Sequence, residues 1–326
     1  MRRSILALFS VFFLVAATTL VWATSPPQKA AAQTADPVIT AAGDIACEPP
    51  GTRTANLCHQ GDTQAHPSQA GTDDLLGGAT MVLPLGDEQY QCGQLSAFNA
   101  AYHQSWGDFR GISRPVVGDN EYAGSTCTTP GAEGYFTYFG DRASPDQPGC
   151  TVNCKGYYSY NLGSWHLVAL NSECTQPGVG GCGGTSPQVQ WLKADLATNQ
   201  SQCTLAYFHR PYWRDNGGTV ARMRPFVNAL HADRGELILV GHEHLYARFA
   251  KQHPTTGAVS ATGVRQFTVG TGGRSLGALA SPAPANVQDR ERAYGVLKLT
   301  LHPTSYSWQF VADTGVVLDS GTQACH

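Results

Sequence analysis

Charge of either sign is scarce in this chain. Only 14% of its 326 residues are Asp, Glu, Lys or Arg, against the usual quarter or so, and they leave a net charge of -3. Without a basic excess there is no electrostatic footprint for a nucleic-acid partner. Internal repeats are absent, which excludes a repeat architecture, and no low-complexity tract follows residue 36. Glycine, in contrast, is abundant, with 36 residues, so a loop-rich protein with a neutral, polar surface is expected. The length suffices for a sizeable core.

The N-terminus reads as a targeting segment. Met1-Arg2-Arg3 is basic, Ser4 to Trp22 is almost wholly apolar, and Val21-Trp22-Ala23 ends on a small residue suited to cleavage. Residues 1–23 are therefore expected to be a signal peptide and the protein to be secreted. An uncleaved membrane anchor is the alternative, and without it no membrane partner is expected. Residues 24–36, rich in Pro, Ala and Gln, read as a disordered linker, leaving 37–326 as one domain.

The ten cysteines are an even number, and in an exported chain they are expected to form disulfides. A zinc site at Cys150 and Cys154 is the competing reading, but the spacing is loose and no second matching pair occurs.

Along the chain, short apolar runs end on glycine and then on a polar residue. Val38 to Ala42 runs into Gly43-Asp44, Met81 to Leu85 into Gly86-Asp87 with Tyr90 three residues on, and Arg114 to Val117 into Gly118-Asp119-Asn120-Glu121. Thr204 to Phe208 ends on His209-Arg210, and Glu236 to Val240 on Gly241-His242-Glu243-His244. Helices are expected over Gln94 to Trp106, over Val220 to His231, and after Ser186, which can cap with Pro187 at the first helical position. Tyr157 to Asn161 and Ser164 to Asn171 read as antiparallel strands, and β character returns at Arg265 to Gly270, Tyr294 to Leu301 and Ser305 to Val311. The aromatic group Tyr135, Phe136, Tyr138 and Phe139 is expected in a lid or flank beside the site. The pattern predicts an α/β (α+β) domain with two packed, mixed sheets flanked by helices.

In an open α/β sheet, ligands bind at the carboxyl ends of strands. Asp44, Asp87 with Tyr90, Asp119 or Asn120, His209, and His242 with His244 offer oxygen and nitrogen ligands from five strand ends. That set exceeds one four-coordinate zinc and suits two metal ions with a shared bridge, which can bind both the attacking and leaving oxygens of a phosphoryl displacement. His59, His66, His103, His166, His231, His253 and His302 stand at no glycine-turned strand end and are read as structural. Arg210, Tyr212 and Arg214, just past His209, either contact a phosphate or are solvated surface.

From about Val38 to Tyr246 the chain resembles the calcineurin-like metallophosphoesterases, and within them the purple acid phosphatase-like branch. Gly43-Asp44, GDEQY at 86–90, Gly118 to Glu121, Phe208 to Pro211 and Gly241 to His244 follow the family's five blocks in order. The resemblance implies a four-layer αββα metallophosphatase-like sandwich. It implies one metal held by Asp44, Asp87, Tyr90 and His244, and a second held by Asp87 as bridge, Asp119, His209 and His242. A tyrosine ligand favours Fe(III), with Zn, Mn or Fe in the other position. Catalytic roles fall to Asn120, Asp87 and His242, and substrate binding to Asn120 and Arg210.

Three positions depart from the family, the first being Asp119, which stands where the family has an asparagine ligand and can still bind metal with one more negative charge. Ala46 stands where the wider group has a ligating histidine, and Asn120 where it has a histidine that assists the substrate or leaving group. The expected activity is hydrolysis of phosphate monoesters by metal-bound hydroxide. The alternatives are a phosphodiesterase or nucleotidase on the same centre, or a metal-holding binding protein with weakened catalysis. The partner in each enzymatic case is a small phosphate ester.

Overall fold

The computed structural model describes residues 35–47, 71–122 and 130–326. The expected signal segment, nearly all of the linker, most of the polar loop after Cys47, and His59 and His66 lie outside the described residues. The compact unit is Asp36–His326.

Along the chain the strands are β1 (Val38–Ala42), β2 (Met81–Pro84), β3 (Tyr158–Leu162), β4 (Trp165–Ala169), β5 (Cys203–Tyr207), β6 (Leu237–Val240), β7 (Tyr246–Phe249), β8 (Arg265–Val269), β9 (Val287–Glu291), β10 (Gly295–His302), β11 (Ser305–Ala312) and β12 (Val317–Ala324). The helices are α1 (Leu95–Ala100), α2 (Asp119–Tyr122), α3 (Glu133–Phe139), α4 (Pro187–Thr198) and α5 (Arg224–Ala232), with 3-10 turns between several of them. A five-stranded sheet has the order β12-β11-β10-β1-β2, and a seven-stranded sheet the order β3-β4-β5-β6-β8-β7-β9. Each mixes parallel and antiparallel pairs, as expected.

The period of two along each strand makes the layers. Leu205, Tyr207, Leu237 and Leu239 point into the core between the sheets, where Leu297, Leu299 and Phe310 of the five-stranded sheet meet them. Their neighbours Ala206, Ile238 and Val240 point the other way, under Val189, Leu192 and Leu196 of α4 and Phe226, Val227 and Leu230 of α5. Ser186 accepts a hydrogen bond from the Val189 amide (3.4 Å) and Pro187 opens α4, so that helix starts where its sequence indicates. The helical cover is unequal. The segment around α1 and the 3-10 turn at Trp106–Ile112 gathers at the β2 edge, whereas Lys298, Thr300 and Gln309 line a shallow hollow on the outer face of β10 and β11.

Some expectations change in detail. Arg114 to Val117 is extended and bonds to β2 (Arg114 N to Val82 O, 2.9 Å; Val116 N to Pro84 O, 3.1 Å), but the pairing amounts to an isolated bridge between Ser113 and Val82 and no strand forms. The helix expected over 94–106 ends at Ala100 and continues as 3-10 turns. The aromatic group at 135–139 is not a lid: it forms α3, and its rings are buried, with Tyr138 stacked on Phe98 at 4.9 Å between centroids. Strands β7, β9 and β12 were not legible, being short or, as in Val-Gln-Asp-Arg-Glu, without apolar alternation. Cys150–Cys154 is a disulfide, which removes the zinc alternative; Cys174–Cys182 and Cys203–Cys325 are bonded too, and Cys47 and Cys92 each belong to a further disulfide. No helix among the described residues is long and apolar enough to cross a membrane.

A polar clamp joins the sheets. Asp319 of β12 accepts from Tyr246 Oη (2.6 Å) and Arg248 Nε (2.7 Å) of β7 and from Trp308 Nε1 (3.1 Å). Burial raises its pKa, but Arg248 and Tyr246 outweigh burial and hold it below its ordinary value. The stabilisation is therefore present above about pH 4 and is lost as pH falls through the folded-state value. Asp319→Ala should lower the unfolding free energy by about 1–3 kcal/mol at neutral pH, because Arg248 loses its two-point partner and of its polar contacts keeps only Gln288 Oε1 (2.8 Å) and the Asp289 carboxylate (3.7 Å). It should also shrink the acid-dependent loss, and urea unfolding at neutral and acid pH measures both.

Candidate metal centre

The strand ends of both sheets meet at one place. Gly43 N donates to Val269 O (2.8 Å), Asp44 N to Gly86 O (3.0 Å), Gly272 N to Gly43 O (2.9 Å) and Gly241 N to His209 O (3.0 Å). With the backbones this close, the strand-end glycines are needed for room. A Cβ at Gly86 would lie 2.6 Å from His209 Nδ1, and one at Gly118 2.2 Å from the Asp87 backbone N and Oδ1. Asp44, Asp87 and His242 have φ of 58°, 52° and 68°, the left-handed region that L residues seldom occupy. That turn at each strand end aims the side chain back over the sheet ends.

All nine residues expected at the site are brought together. Tyr90 Oη donates to Asp44 Oδ1 (2.7 Å), and His244 Nε2 lies 3.2 Å from that same oxygen. The His242 backbone N–H donates to Asp44 Oδ2 (2.7 Å). His209 Nε2 lies 3.4 Å from Asp87 Oδ1 and 3.0 Å from Asp119 Oδ1, and His242 Nδ1 lies 3.1 Å from that Asp119 oxygen. Asn120 faces Asp87, its backbone N–H donating to Oδ1 (2.8 Å) and its amide to Oδ2 (2.6 Å). Arg210 reaches Asp119 Oδ2 through Nη2 (3.1 Å). Asp44, Asp87 and His209 are buried, whereas the side chains of Asp119, His242 and His244 keep 32%, 29% and 27% exposure, so the site opens on their side. A cleft of about 380 Å³ adjoins that side, lined by Arg214, Asn216, His242, His244 and Gly277 among others.

The tautomers are set by backbone carbonyls, which only accept. His209 Nδ1 donates to Leu85 O and His244 Nδ1 to Ser275 O, both at 2.9 Å, so each ring turns Nε2 toward carboxylates. A neutral Nε2 and a carboxylate oxygen are both acceptors. They sit side by side only if the ring is protonated or a cation lies between them. Burial disfavours protonated His209, yet Asp87 and Asp119 outweigh burial and push its pKa well above the ordinary value. Asp44 does the same for His244 against burial. In return, against burial, His209 and His242 hold Asp119 far below the carboxylate range. Burial, with Asp44 and Asp87, pushes the Tyr90 phenol well up. The donor set fits cations: Asp44, Asp87 and His209, and separately Asp119, His209 and His242, each place three ligand atoms within 4.8 Å of one another.

Three residues support the site; Arg274 and Glu173 carried no signal in the sequence, and Glu121 was marked only as the end of the Gly118 to Glu121 block. Glu121 is buried and accepts from the backbone N–H groups of Asp87 (3.0 Å), Gln89 (3.1 Å) and Gly118 (2.9 Å), tying two strand-end turns together. Burial and the neighbouring Asp87 push its pKa up to about 8. Arg274 lies over the Tyr90 ring at 4.6 Å, and Glu173 accepts from Arg210 Nε at 2.7 Å. Glu173 sits 37 positions from Arg210, Arg274 184 from Tyr90 and Glu121 34 from Asp87, so local pattern does not reveal these contacts. The histidines read as structural have such contacts where described: His166 with Asp195 (2.7 Å), His103 with Tyr138 (2.9 Å) and His302 with Asp36 (2.6 Å).

No family model matches the chain. Over 168 residues, 47% of the chain, it is 25% identical to a probable purple acid phosphatase of Arabidopsis thaliana and spans 37% of that relative's length. Among solved structures, a purple acid phosphatase from yellow lupin (Lupinus luteus) seeds superposes with a TM-score of 0.61 at 16% identity, over 90% of this chain and 54% of that one. GAP50, the anchor in the inner membrane complex of Plasmodium, superposes with a TM-score of 0.60 at 10% identity, over 90% of both chains. The chain thus shares the fold of the lupin purple acid phosphatase structure, and 47% of it is similar in sequence to the Arabidopsis relative.

The contact of Gly86 with His209 is testable. Gly86→Ala should lower stability by about 1–3 kcal/mol through overpacking, with added backbone strain because φ there is 85°. By displacing His209 it should also reduce the amount of added Zn or Mn the chain retains. Thermal unfolding and metal analysis after dialysis measure the two effects.

Proposed function

We propose that the chain is an exported, metal-dependent phosphoesterase that hydrolyses phosphate monoesters at a dinuclear centre. The observation that carries this reading is the placement of His209 Nε2 and His244 Nε2 against carboxylates, with their Nδ1 atoms committed to carbonyls. Asp44, Asp87, Tyr90 and His244 would hold one cation, and Asp87, Asp119, His209 and His242 the other, with Asp87 shared. Fe paired with Zn, Mn or Fe suits a set with a phenol on one side and imidazoles on the other. Two such cations, held by those residues, would supply Lewis-acid charge and activate water by lowering its pKa toward about 7.

The chain's own groups do the rest. Asn120 fixes both oxygens of Asp87 and keeps its second amide N–H for a phosphate oxygen. Arg210 brings positive charge to the open edge beside Asp119 and His242. Tyr90 holds Asp44 from the buried side and His244 from the open one. The disulfides suit an oxidising compartment and so support export.

A second reading follows from Asn120, which cannot give up a proton as an imidazolium would: a binding protein that holds metals and phosphate but turns over little. Asp87→Asn should lower monoester hydrolysis by more than about 100-fold, since loss of even outer partners of metal ligands costs about 10–100-fold. p-Nitrophenyl phosphate and bis-p-nitrophenyl phosphate, assayed on chain loaded with Fe and Zn or with Mn, separate the readings. Faster diester hydrolysis would point to a phosphodiesterase, and two bound metals with hydrolysis of neither ester would leave the binding protein.

A further inference from the structure

Arg210 is the arginine or lysine that ion-pairs with the expected ligand set among the described residues, and its reach is fixed from behind. Its backbone N–H donates to Ser172 Oγ (3.1 Å) and its Nε to Glu173 Oε1 (2.7 Å). This leaves Nη1 3.2 Å from His242 Nε2 and Nη2 3.1 Å from Asp119 Oδ2, both at the open edge.

Glu173 is itself held. Its side chain is 6% exposed, Ser172 Oγ lies 3.2 Å from its Oε1, and its backbone N–H donates to Asn171 Oδ1 (3.0 Å). Asn171 is clasped by Gln188 of α4, accepting at its carbonyl (2.9 Å) and donating from its amide (2.8 Å), and Cys174–Cys182 closes the loop just beyond Glu173. A buried carboxylate presented this firmly does more than neutralise a surface arginine. It takes the Nε corner of the guanidinium and leaves the two Nη groups at the open edge as a fork of N–H donors that can converge on one phosphate oxygen. At position 120, where an imidazole is the family expectation, the Asn amide is already committed to Asp87 through one N–H.

We propose that Arg210 is the phosphate clamp that stands in for the missing imidazole, and that Glu173 is the positioning residue that aims it. This rests on the phosphomonoesterase reading above. It deepens that reading by assigning the monoester preference to this pair: a monoester has three terminal oxygens and a diester two, so only the monoester can meet two metals and still give the fork an oxygen. Without Glu173 the guanidinium is free to close fully on Asp119, away from the substrate. The clamp offers charge and N–H donors only, since guanidinium does not give up a proton.

A double-mutant cycle tests the pair, with inorganic phosphate binding by calorimetry and the ratio of monoester to diester kcat/KM as readouts. Arg210→Ala and Glu173→Ala should each weaken phosphate binding and cut that ratio by about tenfold, the size of one charge-assisted hydrogen bond. The double variant should fall within about twofold of Arg210→Ala alone, because Glu173 acts through Arg210. If Glu173→Ala misfolds, Glu173→Gln keeps the volume and the acceptor while losing the charge, and should give a loss of about threefold in both readouts. Unchanged phosphate affinity in the Glu173 variants, or losses that multiply in the double variant, would overturn the pairing. If the unsubstituted chain hydrolyses neither ester, the phosphoesterase reading fails, and the phosphate titrations alone still decide whether Glu173 aims Arg210.

Discussion

Asp44 and Asp87 are buried carboxylates with no lysine or arginine ion-paired to them among the described residues, and the arrangement of the strand ends follows from that. Taking a carboxylate out of water costs several kcal/mol unless positive charge and donors meet it. Here the donors are the phenol of Tyr90, the backbone N–H groups of His242 and Asn120 and the Asn120 amide, and the charge is that of the imidazoles or of a cation in their place. Each donor must arrive within about 3 Å, which only closely packed backbones allow. The glycines before Asp87 and Asp119, and the left-handed turns at Asp44, Asp87 and His242, are what such packing requires.

The sandwich provides the place for it. β1 and β2 belong to the five-stranded sheet, and β5, β6 and β8 to the seven-stranded one, so the parallel strands of both deliver their carboxyl ends to the same side. Apolar burial between the layers, with Tyr246 stacked on Phe310 at 4.0 Å, holds the sheets at the distance where those ends touch. The polar groups at the seam then need few long side chains to reach one another.

Much of this was legible because a ligand at a strand end leaves a local trace: an apolar run, a glycine demanded by close approach, then a carboxylate or imidazole. That trace located Asp44, Asp87, His242 and His244, and Ser186-Pro187 located α4 in the same local way. What supports those ligands leaves no local trace. Glu173 meets Arg210 across 37 residues and Glu121 meets Asp87 across 34; Glu173 alone reads as a solvated surface residue, and Glu121 as the tail of a strand-end polar cluster with no hint of its buried contacts. The aromatic group at 135–139 misled because a run of rings among glycines looks like a flap, whereas three-dimensional packing with Phe98 and Tyr102 makes it core. Strands β7 and β9 depend on neighbours for their pairing, and their own residues lack the alternation that marks a half-buried strand.

The seam has a thermodynamic consequence. The chain reaches its candidate centre from two sheets that touch there through backbone hydrogen bonds such as Gly43 to Val269 and Gly272 to Gly43. An ion or anion bound at that contact grips both halves of the sandwich, so occupancy and docking of the sheets become one coupled equilibrium, strengthening with ligand concentration as RT ln(1 + [L]/Kd). A cation held there would act as a rivet: it could leave through the open side at His242 and His244 with the seam closed, yet while bound it would raise the free energy needed to part the two sheets.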